Sequence, residues 1–131
     1  MMEEITVSTS RKVEMVDITR EVEEVVEKSG VKEGICFIYC PHTTAALTLN
    51  ENADPDVALD ITQAFEALIP SLDFKHVEGN SPSHIQSSIM GSTLNLFIIN
   101  GKLKLGTWQG VYFCEFDGPR HRKIWVKIME G

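Results

Sequence analysis

No stretch of this chain comes near the roughly 18 consecutive apolar residues that a membrane span requires. The opening MMEEITVSTS holds no basic run followed by an apolar one, so no secretory signal is expected there. Cysteine is sparse: Cys36, Cys40 and Cys114 make an odd count without CxxC spacing. That argues against a disulfide framework or a zinc ribbon and favours a reducing cytoplasm. Basic residues are in deficit, 12 Lys and Arg against 19 Asp and Glu for a net charge of -7. That balance argues against nonspecific nucleic-acid binding through a basic face. Internal repeats, linkers and low-complexity segments are lacking as well.

What is present suits one globular domain, residues 1–131. With 43% apolar and 24% charged residues, the chain is long enough to bury its own core without staples. The acidic excess sits mainly in residues 21–33 and 51–60. Near the C-terminus, Arg120, His121, Arg122 and Lys123 form a basic cluster that reads either as a phosphate contact or as a solvated strand end.

Periodicity sets the coarse architecture. Residues 4–9 and 13–18 read as two strands of a hairpin about the polar STSRK turn. Ile18, Val22, Val25 and Val26 then recur at helical spacing, with Asp17 or Thr19 to cap the start and Gly30 to end it. GICFIYC is almost continuously apolar, which predicts a strand buried on both faces, and ALTLN resumes the extended pattern after Pro41. Asp54 followed by Pro55 opens a second helix, whose stripe of Val57, Ile61, Phe65 and Leu68 predicts core packing until Pro70. Ser81 and Pro82 open a short third helix that Gly91 closes. Asn100–Gly101 between STLNLFIIN and KLKLG is a strong hairpin signal. Two more strands, WQGVYFCEF and RKIWVKI, flank DGPR. The expected fold is α+β, a mostly antiparallel two-sheet sandwich with three helices packed outside.

Three segments carry groups fit for chemistry. In PHTT, Pro41 breaks the strand beside an imidazole, His42, and two hydroxyls, Thr43 and Thr44. Such a break can hold anionic oxygens or move a proton; it also suits a bulge whose threonines satisfy their own backbone. In HVEGNSPSH, Asn80, Ser81 and the helix start present free N–H groups as a seat for phosphate or carboxylate, with His84 one turn in. His76 and Glu78 alternate about Val77, and His42, His76 and His84, with Glu78, could ligate a divalent ion such as zinc or magnesium. Their spacing fits no short metal motif, and polar loop packing is the bland alternative.

The third segment is GTWQGVYFCEFDGPR. Gly106 and Gly110 mark a bulge or a close approach, Trp108 offers a ring face and Gln109 a polar handle. Glu115 and Asp117 share one strand face and Cys114 takes the other. Cys114 could act as a nucleophile only with its pKa lowered by a cation such as Arg120; a buried inert thiol is the usual outcome.

The blocks PHTTAALTLNENADPDV, HVEGNSPSHIQSSIMGS and NGKLKLGTWQGVYFCEFDGPRHRKIWV, in this order, resemble the YjbQ-like family, also called the secondary thiamine-phosphate synthase family. The resemblance covers nearly the whole chain. It implies a compact α+β homotrimer with pockets near subunit boundaries. It also implies an ability to join pyrimidine pyrophosphate and thiazole phosphate into thiamine phosphate, as a secondary activity. The matching polar positions are His42, Thr43, Thr44, His76, Asn80, His84, Gln109, Glu115 and Arg120. CEFDGPR varies among members, so no role passes to Cys114 or Asp117.

The reaction this suggests asks for neutralisation of a departing pyrophosphate. Arg120, Thr43, Thr44 and the start at Ser81 are assigned to phosphates, with Asn80 and Gln109 as polar contacts. His42 and His84 are assigned to the anion or a bridging metal, and Trp108 to a planar ring. Cys114, Asp117 and Glu78 are secondary proton, metal or nucleophile candidates. The alternatives are a metal-dependent hydrolase and a non-catalytic small-anion binding trimer. A phosphorylated small molecule and a second copy of the chain are the expected partners; nucleic acid and membrane are not.

Overall fold

The computed structural model describes residues 2–131; Met1, the first residue of the expected domain, lies outside the described residues. Eight strands and three helices follow one another along them. The order is β1 (Met2–Ser8), β2 (Glu14–Asp17), α1 (Thr19–Ser29), β3 (Gly34–Tyr39), β4 (Ala45–Glu51), α2 (Pro55–Leu68), α3 (Ser81–Met90), β5 (Thr93–Ile99), β6 (Lys102–Leu103), β7 (Gln109–Glu115) and β8 (His121–Glu130). They form a five-stranded sheet, β1-β8-β3-β5-β6, and a three-stranded sheet, β2-β7-β4. Every strand pair is antiparallel. The α+β class, the three helices and the antiparallel sheets are as expected.

The two sheets share one core. Cys36, Ile38, Ile98, Ile124 and Val126 from the large sheet meet Leu47, Val111 and Phe113 from the small one. Val22 and Val26 of α1, one turn apart, join this same cluster, so α1 completes the core and does not simply cover it from outside. Gly30 ends α1 with φ 71°, the left-handed conformation that glycine takes without steric cost. The outer face of the small sheet forms a second cluster of Ala46, Tyr112, Cys114 and Phe116, against which Ala58 and Phe65 of α2 and Met90 of α3 pack.

Four expectations need correction. β1 and β2 are not a hairpin: β1 pairs with β8 and β2 with β7. The STSRK link crosses between sheets, held by Thr9 N–H to the Arg120 carbonyl at 3.0 Å and by Gly118 N–H to the Lys12 carbonyl at 2.9 Å. β3 is buried on one face only. Cys36 and Ile38 point inward, whereas Ile35 and Tyr39 are exposed, because no helix among the described residues covers that side of the large sheet. α2 starts as expected, with Asp54 accepting the Asp56 N–H at 2.9 Å, but it buries no residue fully and leaves Leu68 exposed. Its stripe lies on the flank of the domain. Finally, Asn80, not Ser81, occupies the cap position of α3, and its side chain makes no capping bond.

The Asn100–Gly101 turn is as expected. Both residues have positive φ, 53° and 78°, which matches the twist of tight hairpins, and Ile98 pairs with Leu103.

Candidate functional site

The site lies at one end of the sandwich, where three connections converge. The first is the β3–β4 break. Cys40 N–H still bonds to the Ser92 carbonyl at 2.8 Å; Pro41, with no N–H to give, then releases the chain from the ladder. His42 is half-buried, its ring edge-on to Phe113 with centroids 6.4 Å apart. Its Nε2 lies 3.0 Å from the Lys123 amide, whose N–H it accepts when the ring proton is on Nδ1. Burial, and then the Arg122 charge, lower its pKa from the ordinary 6.5, so the ring is neutral at neutral pH.

The second connection is the loop into α3. That helix is docked by side-chain hydroxyls. Ser83 Oγ donates to the Phe116 carbonyl and Ser87 Oγ to the Ala45 carbonyl, each at 2.7 Å. Spaced four apart, they sit on one helix face and satisfy carbonyls at the ends of the small sheet. This docking fixes His84, whose ring meets His76 edge-to-face at 5.4 Å. Asn80 Nδ2 donates to Asp117 Oδ2 at 2.9 Å.

The third is the β7–β8 turn. Arg120 donates from Nε to the Asp117 carbonyl at 2.7 Å and from Nη2 to Asp117 Oδ2 at 3.1 Å. Burial pulls the Asp117 pKa upward, but hydrogen bonds from Asn80 and Arg120, with the charges of Arg120 and Arg122, hold it below the ordinary value. Asp117 is therefore an anion tied to Arg120.

Together these connections enclose a cavity of ≈ 410 Å³ lined by Pro41, His42, Thr43, Thr44, His76, Glu78, Asn80, His84, Asp117, Arg120 and Arg122. Three sequence-distant polar segments thus meet in one space within one chain. A larger hollow of ≈ 500 Å³ behind α3 is walled by Ile69, Leu72, Phe74 and Phe116, among others, and shares Asn80 with the polar cavity.

Two residues matter more to the site than their sequence positions suggest. Arg122, placed in the basic cluster but in no role, lines the cavity from below and is 5% exposed. Glu115, fully buried, pairs with it. The signal was β8 itself: Arg122, Ile124 and Val126 alternate onto one face, and the latter two are core.

Other candidates fall elsewhere. Cys114 points to the opposite face of β7, is buried, and burial pushes its thiol up to about 12, which disfavours the thiolate a nucleophile needs; it does not line the cavity that Asp117 lines. Gln109 starts β7 at its far end, six residues or ~20 Å along the strand from Glu115, and Trp108 immediately precedes it. Trp108 is 64% exposed there, and the Gln109 side chain accepts the Gly106 N–H at 2.8 Å. What approaches Gly110 is the Asn52 side chain, which a Cβ would meet at 2.4 Å, and not a ligand. Ser81 lines a neighbouring hollow with Phe74, His76, His84 and Ile85. The start of α3 offers fewer free amides than expected: Pro82 has none, and the Ser83 and His84 N–H groups bond to the Asn80 carbonyl at 3.0 and 3.3 Å. The Thr44 hydroxyl accepts from Arg122 Nη2 at 2.9 Å, which leaves its own O–H to donate.

The metal expectation is not met within one chain. His42, His76, His84 and Glu78 line the same cavity, yet among the described residues no three His, Cys, Asp or Glu side chains gather as a group that could hold an ion. The Nε2 of His42 is turned to backbone, and the rings of His76 and His84 pack edge to face. A metal centre needs lone pairs aimed at one point.

A single α+β domain, with two antiparallel sheets about a shared core and a histidine–arginine cavity at one end, defines the class. The model of the UPF0047 protein YjbQ-like family matches residues 3–131, and the chain belongs to that family. It is 48% identical to the UPF0047 protein YugU of Bacillus subtilis over 98% of this chain and 99% of that one. To a UPF0047 protein of Methanocaldococcus jannaschii it is also 48% identical, over 98% of this chain and 94% of that one. The crystal structure of an uncharacterized conserved protein of the family from Clostridium acetobutylicum superposes with a TM-score of 0.94 at 54% identity, covering 97% of this chain and 99% of that one. A hypothetical protein from Aeropyrum pernix gives the same TM-score at 35% identity, over 100% of this chain and 99% of that one. None of the helices among the described residues is long and apolar enough to cross a membrane.

Proposed function

We propose that the cavity binds a phosphorylated small molecule and that the protein is a transferase of the thiamine-phosphate synthase type, this being a secondary activity. In that reaction a lone pair on the thiazole nitrogen forms a C–N bond to the methylene carbon of pyrimidine pyrophosphate. The C–O bond breaks and pyrophosphate leaves with the bonding electrons. The nucleophile loses no proton, so the site must above all stabilise charge gathering on the leaving oxygens.

The observation that carries this reading is the pairing of two arginines, Arg120 and Arg122, with the Thr43 hydroxyl and the neutral His42 around one cavity. Arg122 and Arg120 take the phosphoryl oxygens, Thr43 donates its hydroxyl, and His84 and His76 supply ring nitrogens at the rim. Acid–base or nucleophilic hydrolysis is less well served. Glu115 and Asp117 are held ionised below their ordinary pKa values and the Cys114 thiol is inert. The same observation also suits a non-catalytic anion-binding protein.

Turnover separates the two. The purified protein, given both substrates, is expected to release pyrophosphate, and His84→Ala together with Arg120→Ala to cut the rate by about a hundredfold. Binding of pyrophosphate without any release from substrates would leave only the anion-binding reading. Turnover undiminished in both variants would remove the cavity from the mechanism.

The same proposal includes a homotrimer. Ile35, Tyr39, Phe97, Ile99 and Met129 form an open apolar face on the large sheet, with Phe97 66% exposed and Tyr39 stacked on Trp125 at 5.7 Å. Faces of this kind on single chains mark association surfaces. Light scattering is expected to give about three times the 14.7 kDa chain mass, and Phe97→Glu to lower it; a wild-type mass of one chain would refute the assembly.

A further inference from the structure

We infer that Arg122 is the residue that grips the ligand's anionic group, and that Glu115 is its positioning residue, fixing the guanidinium so that one nitrogen faces the cavity. This deepens the reading above and rests on an anion occupying the cavity.

The hydrogen bonds of Arg122 are unevenly spread. Nε donates to Glu115 Oε1 at 2.9 Å, and Nη2 donates to Glu115 Oε2 and to the Thr44 hydroxyl and carbonyl. Nη1 has no partner among the described residues. It is not sealed off either, since Asn80 Oδ1 is the one fully enclosed side-chain polar atom found without a partner among them. As Arg122 lines the cavity, its free N–H groups belong to that space.

Glu115 has the opposite character. It lies outside the cavity lining and is fully buried. Oε1 accepts from the Thr9 hydroxyl at 2.8 Å and from Arg122 Nε, and Oε2 from the Asp117 N–H at 3.1 Å and from Arg122 Nη2. Its acceptor sites are filled, so it neither moves protons nor touches a ligand. It acts through Arg122.

A fully buried ion pair is an unexpected way to gain stability. Desolvation offsets most of the attraction, and well-packed apolar residues of similar volume often do as well or better. What the pair provides is a cation held in one orientation inside a sheet sandwich, its rotamer entropy already spent in folding. Arg120 is half-exposed and suits capture of the incoming anion. Arg122 suits the fixed contact. The geometry favours a terminal phosphoryl group, whose oxygens can accept two N–H bonds, over a cationic ligand.

The test is calorimetric titration with inorganic pyrophosphate. Glu115→Asp keeps the charge but retracts the carboxylate by one methylene; Arg122→Lys keeps the charge but removes the planar fork. Each is expected to weaken binding roughly tenfold or more at unchanged net charge. The double variant Glu115→Gln/Arg122→Met carries no unpaired buried charge and is expected to remain folded by circular dichroism without binding pyrophosphate. Folded single variants that bind as tightly as the wild type would overturn the assignment while leaving the proposed function intact. A wild type that binds no pyrophosphate would overturn both.

Discussion

Glu115→Ala will lower the unfolding free energy by about 3–5 kcal/mol, the usual consequence of removing one partner of a buried ion pair. The carboxylate is sealed between the sheets with four hydrogen bonds. Its loss leaves the Arg122 guanidinium, only 5% exposed, with Thr44 as its remaining hydrogen-bond partner. The Thr9 hydroxyl and the Asp117 amide lose their acceptor as well. Urea denaturation will read the effect as a fall in midpoint at similar slope. The double variant Glu115→Gln/Arg122→Met will keep most of the lost stability, because neither side retains an unpaired charge.

The same pair gives the fold an acid limit. Burial pushes the Glu115 pKa up, but hydrogen bonds from Arg122, Thr9 and the Asp117 amide, with the Arg122 charge, outweigh it and leave the pKa below its ordinary 4.5. An unfolded Glu115 therefore binds its proton at higher pH than the folded one. The contribution is complete above about pH 4.5 and fades as pH falls from there through the folded value. Asp117 is shifted in the same sense. Glu115→Gln will flatten this part of the stability-against-pH curve; a curve as steep as that of the wild type below pH 4.5 would show that Glu115 is not the group titrating.

How far the sequence revealed this arrangement depends on whether its signals were local. Asp54–Pro55 and Asn100–Gly101 act through their own backbone geometry, and both do in the structure what they indicate in the sequence. The gathering of His42, His76, Asn80, His84 and Arg120 was also legible, because each sits beside a chain break that must lie at a sheet end. Pairing between sheets was not. Whether β1 meets β2 or β8 depends on partners more than a hundred residues away, and STSRK is as good a crossing as a turn. Trp108 misled for a related reason. It shares a segment with Glu115, but an extended backbone carries it to the opposite end of the sandwich. Arg122 hid behind its charge; only its alternation with Ile124 and Val126 shows that it faces inward.

Phe113→Ala will cost about 3–5 kcal/mol, as lost transfer energy plus a cavity that the surrounding sheets cannot fully close. Phe113 is fully buried on the inner face of β7, the central strand of the small sheet, paired with Val16 on one side and Leu47 on the other. Strands flanked on both sides have little freedom to collapse into the void. The effect will reach the site, because the ring that would be lost is the one against which His42 sets its edge. Without that wall the His42 ring is held only by the Lys123 backbone. The cavity's affinity for pyrophosphate should therefore fall in protein that is still folded, although Phe113 touches no ligand. Phe113→Leu, which refills most of the volume, should recover much of the stability and little of the orientation of His42. Trp108→Ala, at an exposed position, should stay within about 0.5 kcal/mol of the wild type and serves as the control. A loss below about 1 kcal/mol for Phe113→Ala would contradict a core shared tightly between the sheets. An unchanged pyrophosphate affinity in the folded variant would separate His42 from the wall that this geometry gives it.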